Sequence, residues 1–223
     1  SRATSTAAPA GVPLATGSHG RNVMPSSVQR STSGSAERAV ARTGVDVTVT
    51  DDLAAAAAAD GLVVPGVGAY AACMAGIEKL GAGPVIAERV AAGRPVLGIC
   101  VGMQILFETG VEHGVETRGI GLLPGAVTKL AARRIPHMGW NTVAVPENSR
   151  LMRGMPDDAR FYFVHSYGAS GLDALQDAVV TTAAHDAPFA AVVERGPLSV
   201  AQFHPEKSGD TGARLLRNWI AGL

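Results

Sequence analysis

The sequence predicts an α/β fold: an open, mostly parallel sheet with helices on both faces and antiparallel additions in its second half. Three observations predict it. Strand-like and helix-like runs alternate from Ala36 to Phe107, as they do in parallel crossover units. Two of the strand-like runs, 62–64 and 95–99, are continuously apolar, as strands covered on both faces are. After Gly121 the runs shorten and turn residues stand between them, which suits hairpins.

Taken in order, residues 1–35 are rich in Ser, Ala, Gly, Pro and Thr, carry three arginines and no acidic residue, and show neither a helical nor a strand period. They read as a disordered, atypical N-terminal segment. An organellar transit segment has a similar composition, but the rest of the chain also prefers arginine to lysine, so the plain tail is the leading reading. Residues 36–223 form the folded domain. Residues 36–42 predict a short helix closed by Gly44, and 45–50 a strand of alternating β-branched residues. Asp51 and Asp52 then precede an alanine-rich helix, with acidic groups at the end where the helix dipole favours them. The 62–64 strand ends at Pro65-Gly66. A helix follows to Leu80, and a second runs from 84 to 92 and stops at Gly93. The 95–99 strand passes straight into a helical run that reaches Phe107. Further strands are predicted at 126–128, 142–145, 160–164, 190–193 and 198–203. A final helix is capped by Asp210 and places Leu215, Leu216, Trp219 and Ile220 on one stripe.

Composition excludes several function classes. The 223 residues carry 19 basic and 19 acidic side chains, so no nucleic-acid footprint or polybasic membrane patch is expected. No apolar stretch reaches the ~20 residues of a membrane span. The two cysteines, Cys73 and Cys100, lack disulfide-scaffold or zinc spacing and read as free thiols of a reducing compartment, the cytoplasm. Neither a metal nor a cofactor is expected.

The chemistry concentrates at Gly98-Ile99-Cys100-Val101-Gly102, where a strand turns into a helix. This is the cysteine form of a nucleophile elbow, with glycines where backbones come too close for a Cβ. A helix N-terminus favours thiolate over thiol, and the Val101 N–H would face a developing oxyanion. Cys73 lacks this context and reads as a buried, inert thiol. A thiol nucleophile needs a base, and Gln202-Phe203-His204-Pro205-Glu206 offers one directly after a strand. Pro205 disfavours a helical His204, so the stretch should be extended, with His204 and Glu206 pointing to the same side. The glutamate would orient the imidazole, as the acid of a triad does. Among the other histidines, His19 lies in the tail, His113 and His185 read as solvated loop residues, and His137 and His165 stand in aromatic-rich segments that suit a core.

Five segments together resemble the class I, or triad, glutamine amidotransferases. They are Pro65-Gly66-Val67-Gly68-Ala69-Tyr70, the run from Gly98 to Gln104, Pro136-His137-Met138-Gly139-Trp140-Asn141, the run from Phe161 to Tyr167, and the run from Gln202 to Ser208. The likeness runs from about Ala36 to the C-terminus. The middle three are closest to the branch whose members dock on a cyclase subunit in histidine biosynthesis. The resemblance implies a flavodoxin-like sheet and a glutaminase. In it Cys100 forms a γ-glutamyl thioester, His204 is base and then acid, and Glu206 is its partner. It implies that Gly66, Val67 and Gly68 form an oxyanion strand beside Val101, and that Gln104, Glu112, His165 and Ser166 hold the substrate glutamine. Trp140 and Lys207 would face the cyclase subunit of a heterodimer. Such docking has a chemical logic, because ammonia released into neutral water is protonated and stops being a nucleophile.

The front departs from the family. Where its members have a short hydrophobic strand and an Asp-Tyr-Gly-x-Gly-Asn-like loop, residues 26–35 here have neither an apolar run nor an asparagine. The first strand is therefore expected to be missing. Two further readings stay open: a catalytically silent or misfolded homologue, and a different triad amidotransferase or γ-glutamyl peptidase.

Overall fold

In the computed structural model, which describes residues 14–18 and 30–223, the chain begins with β1 (Leu14–Ser18), α1 (Arg30–Ala41), β2 (Asp46–Thr50) and α2 (Leu53–Ala58). It continues through β3 (Gly61–Gly66), α3 (Tyr70–Leu80), α4 (Ala82–Ala91), β4 (Val96–Cys100) and α5 (Val101–Gln104). Then come β5 (Phe107–Glu112), β6 (Val115–Arg118), β7 (Leu123–Lys129), β8 (His137–Thr142), β9 (Arg160–His165) and β10 (Tyr167–Ala169). The last elements are β11 (Val179–His185), β12 (Ala187–Arg195), β13 (Leu198–Ala201) and α6 (Gly209–Ile220).

Seven strands form the main sheet in the order β11-β12-β13-β4-β3-β1-β2. β3, β4 and β13 are parallel neighbours, and the runs expected to be buried on both faces are: Leu62, Val64, Val96 and Leu97 have no exposed surface. β12 and β11 extend the sheet as antiparallel hairpins. This is the open α/β sheet with antiparallel additions that the sequence predicts. A four-stranded sheet (β10-β7-β5-β6) and the β8-β9 pair lie beside it. α2 forms where the alanine-rich helix is expected, and Asp52 caps it, its Oδ1 accepting from the N–H groups of Ala54 and Ala55.

The front differs from expectation. β1 exists and lies between β2 and β3, antiparallel to both, so the first half of the sheet also carries an antiparallel strand. Ladder hydrogen bonds come from the backbone, so a segment without an apolar run can still fill the slot, and an empty slot would leave two strand edges unpaired. The silent-homologue reading, which follows from a missing strand, loses that premise. α1 starts at Arg30 rather than Ala36, and it buries Ala36 and Val40 in the core. Residues 1–13 and 19–29, with His19, lie outside the described residues.

Other elements shift as well. The helical run expected through Phe107 stops at Gln104, where the chain turns and enters β5. The strand expected at 142–145 is displaced to β8, and only Ala144 bridges to Thr182. β5 and β6 are unforeseen because their apolar pattern is broken by exposed or half-exposed charges. The turn between them is built by His113 and Gly114, both at positive φ (51° and 78°), which is the two-residue hairpin geometry. The cap of α6 is Ser208, not Asp210. Its hydroxyl does not cap the helix: it donates to the His204 carbonyl and accepts from the Tyr162 N–H.

Candidate active site

Cys100 ends β4 with φ 56° and ψ −118°, a backbone conformation that side chains with a Cβ rarely adopt. The surrounding glycines explain how the turn fits. A Cβ on Gly102 would strike the Val64 carbonyl, one on Gly66 would strike the Gly102 amide, and one on Gly98 would come within 2.8 Å of the Gly102 oxygen. β3 and the start of α5 therefore touch backbone to backbone, which sets the Pro65–Gly68 segment against the cysteine. With only four residues, α5 supplies a weaker dipole than the long helix expected from sequence.

His204 and Glu206 come together as expected, by a different route. His204 is extended (φ −100°, ψ 97°), but Pro205–Lys207 is a 3-10 turn rather than a continued strand, and the turn closes Glu206 Oε1 to 2.7 Å from His204 Nδ1. Both side chains are almost fully buried. Burial alone would lower the imidazole pKa. Its hydrogen bonds to Cys100 and Glu206, with their charges, outweigh burial and raise it to about 9. The imidazole thus stands between the Cys100 sulfur and the Glu206 carboxylate, and both favour its charged form.

A cavity of about 520 Å³ opens over Cys100. Its lining brings together Val67, Gly68, Val101, Gln104, Glu112, His165, Ser166 and Lys207 of the expected set. Gly66 lies beneath it at the β3–α5 contact, and Trp140 lies outside its lining. Glu112 Oε2 accepts from the Tyr70 N–H at 2.7 Å, which ties β5 to the start of α3. Gln104 Nε2 donates to the Tyr167 carbonyl at 2.9 Å and to Gln202 Oε1 at 3.0 Å, so only its own oxygen remains for a ligand. Cys73 donates to the Val67 carbonyl at 3.3 Å, and burial pushes its thiol up to about 12.

His137 and His165 are both buried, and His137 Nδ1 meets His165 Nε2 at 3.0 Å. His165 Nδ1 faces the Tyr167 carbonyl at 2.9 Å, so it carries the proton, and the His137 Nδ1–H donates to His165 Nε2. Burial lowers both to about 4. His185 is half-buried, stacked on His137 at 4.4 Å, rather than a solvated loop residue. On the outer face of β8, Met138 and Trp140 are 63% and 52% exposed, and Lys207 is exposed at the cavity. Sequence reasoning missed Met138, Gln202 and the Tyr167 carbonyl. Strand alternation with Trp140 was a signal for Met138, and position two before His204 was one for Gln202.

Comparisons with known proteins point to one family. The model of the glutamine amidotransferase class-I family matches residues 27–222. The chain is 63% identical over 189 residues to imidazole glycerol phosphate synthase subunit HisH of Mycolicibacterium paratuberculosis, covering 85% of this chain and 92% of that protein. It is 56% identical over 195 residues to the HisH subunit of Thermobifida fusca, with the same two coverages. Among structures, the crystal structure of a glutamine amidotransferase superposes with a TM-score of 0.64 at 19% identity, covering 85% of this chain and 94% of the other. The glutaminase domain of Trypanosoma brucei CTPS with bound acivicin gives a TM-score of 0.64 at 14% identity, covering 86% and 88%. These two likenesses are of fold.

Proposed function

The chain belongs to the class-I glutamine amidotransferase family, and from that premise we propose that it is the glutaminase subunit of an imidazole glycerol phosphate synthase. It hydrolyses glutamine to glutamate and ammonia and passes the ammonia to a cyclase subunit. The cyclase uses it to make imidazole glycerol phosphate and AICAR in cytoplasmic histidine biosynthesis. The observation that carries the reading is the buried Cys100–His204–Glu206 arrangement at the floor of a cavity of about 520 Å³. It stands in a chain 63% identical to a named synthase subunit.

The steps follow from the groups present. The Cys100 thiolate attacks the side-chain amide carbon of glutamine, and the oxyanion forms against the Val101 N–H and the Val67–Gly68 backbone. His204, protonated opposite the thiolate, gives its proton to the leaving nitrogen, and ammonia departs from a γ-glutamyl thioester. Water then attacks the thioester with His204 as base, and glutamate leaves. Glu206 holds the imidazole with its Nε2 toward sulfur and stabilises its charge. Glu112, His165 and Ser166 line the space that the amino-acid end of glutamine would occupy, with Gln104 offering an acceptor oxygen. Trp140 and Lys207 belong to the face that meets the cyclase subunit.

The test is glutamate release from glutamine by the full chain, alone and with a cyclase subunit and its nucleotide ligand. Release that depends on the cyclase is expected. Cys100→Ser should abolish it, while synthesis fed with ammonium salts continues. Glutamine use that survives in Cys100→Ser would overturn the assignment of the nucleophile, and fast release without any cyclase would favour a free-standing hydrolase.

A further inference from the structure

A second side chain approaches the thiol from the same segment after β13 as the base. Gln202 follows β13 directly, has no exposed surface, and stands two residues before His204, so both project to the same side, toward Cys100. Phe203 between them points the other way and stacks on Phe161.

The amide orientation is fixed by a chain of partners. The Tyr167 carbonyl can only accept, so the Gln104 atom 2.9 Å from it is the nitrogen. The same nitrogen gives its other proton to Gln202 at 3.0 Å, so the Gln202 atom there is the oxygen. This leaves Gln202 Nε2 aimed at Cys100 Sγ, 3.9 Å away. His165 Nδ1 donates to the same Tyr167 carbonyl and fills its second lone pair, which locks the start of the chain.

We propose that Gln202 is a positioning residue for the nucleophile: its side-chain N–H donates to the Cys100 sulfur, and Gln104 and the Tyr167 carbonyl hold the amide in that orientation. The proposal rests on Cys100 being the nucleophile. A donor at this place stabilises the thiolate and not the thiol. The other ionisable groups facing Cys100 are His204 with Glu206 behind it and Cys73 from α3. Glu112, His113, Lys129, His165 and Lys207 stand around the cavity. A substitution at Gln202 leaves all of these in place.

The experiment is the pH dependence of Cys100 alkylation by iodoacetamide in the full chain, with the labelled peptide identified by mass spectrometry. In Gln202→Met, which keeps the length but has no donor, the midpoint should rise by about one pH unit, with an accompanying fall of about tenfold in glutamine turnover at neutral pH. Gln202→Glu keeps an oxygen for Gln104 but offers no donor and adds a negative charge, so its midpoint should rise at least as far. It serves where Gln202→Met does not fold. On the unaltered chain, the Gln202 side-chain amide resonance should shift as Cys100 titrates. Midpoints unchanged in a folded variant, or an amide resonance indifferent to that titration, would overturn the proposal. A loss of packing alone would lower the melting temperature without moving the midpoint. Failure of the nucleophile reading would show separately, as glutamine turnover that survives in Cys100→Ser.

Discussion

Glu206 Oε1 sits 2.7 Å from His204 Nδ1, while the other carboxylate oxygen, Oε2, is buried without a hydrogen-bond partner among the described residues. The carboxylate therefore spends its hydrogen bonding on the imidazole alone. A buried charge with one partner depends strongly on that partner, and the dependence runs both ways, because the same contact helps raise His204 to about 9.

Replacing Glu206 with Gln should remove the charge and keep the shape. The imidazolium that forms when His204 takes a proton then lacks its counter-ion. Glutamine turnover in the complex with a cyclase should fall by at least about 100-fold, with little change in the Michaelis constant. Steady-state kinetics with glutamine measures both. A loss of less than tenfold would mean that Glu206 does not serve His204 in the reaction.

Stability should depend on pH through two sets of histidines with opposite signs. His137 and His165 titrate near 4 in the folded protein against about 6.5 unfolded. Between those values the unfolded chain binds more protons, so stability is full above about 6.5 and is lost as pH falls toward 4. His204 is raised, so its contribution is full below about 6.5 and is lost as pH rises through about 9. Urea unfolding from pH 4 to 9.5 should show a maximum near 6.5. His137→Phe should flatten the acid limb and leave the alkaline one. An acid limb unchanged in that variant would rule out the buried pair as its source.

The two thiols should separate cleanly under alkylation. Burial pushes Cys73 up to about 12, and its S–H is occupied by the Val67 carbonyl, whereas Cys100 lines an open cavity. Iodoacetamide at pH 8 should add one label to the native chain, on Cys100, and none to Cys100→Ser, while the denatured chain takes two. Native labelling of Cys73 would show that its pocket opens.

Much of this site was legible because its signals are local. A strand, a cysteine and two flanking glycines need only five consecutive residues, and His204 and Glu206 are two apart. The expected reason for the latter pair was wrong in detail, since a 3-10 turn rather than an extended chain closes it. What was not legible depends on distance in sequence. The Gln104–Gln202 bond joins residues 98 apart, and its direction is decided by a third group, the Tyr167 carbonyl. β1 was hidden because its place is set by backbone pairing with the edges of β2 and β3, which lie 28 or more residues further along the chain. β5 and β6 were hidden because partly solvated strands carry charges that blur the apolar period.

Trp140 connects the outer face to His204 through Tyr162. On β8, His137 faces inward while Met138 and Trp140 face solvent, and the Trp140 ring meets Tyr162 edge-on at 6.0 Å. The Tyr162 carbonyl in turn accepts the His204 N–H at 3.0 Å. An exposed tryptophan beside an exposed methionine is the kind of anchor that dominates a protein–protein interface. It contributes little to the fold of the free chain because half of it is already in water. Trp140→Ala should therefore weaken cyclase binding by about 30-fold or more and leave the melting temperature within about 2 °C of the parent. Titration calorimetry and thermal unfolding separate the two effects. An unchanged dissociation constant would place the interface elsewhere, and a large drop in melting temperature would mean that the ring supports the β8-β9 pair rather than the partner.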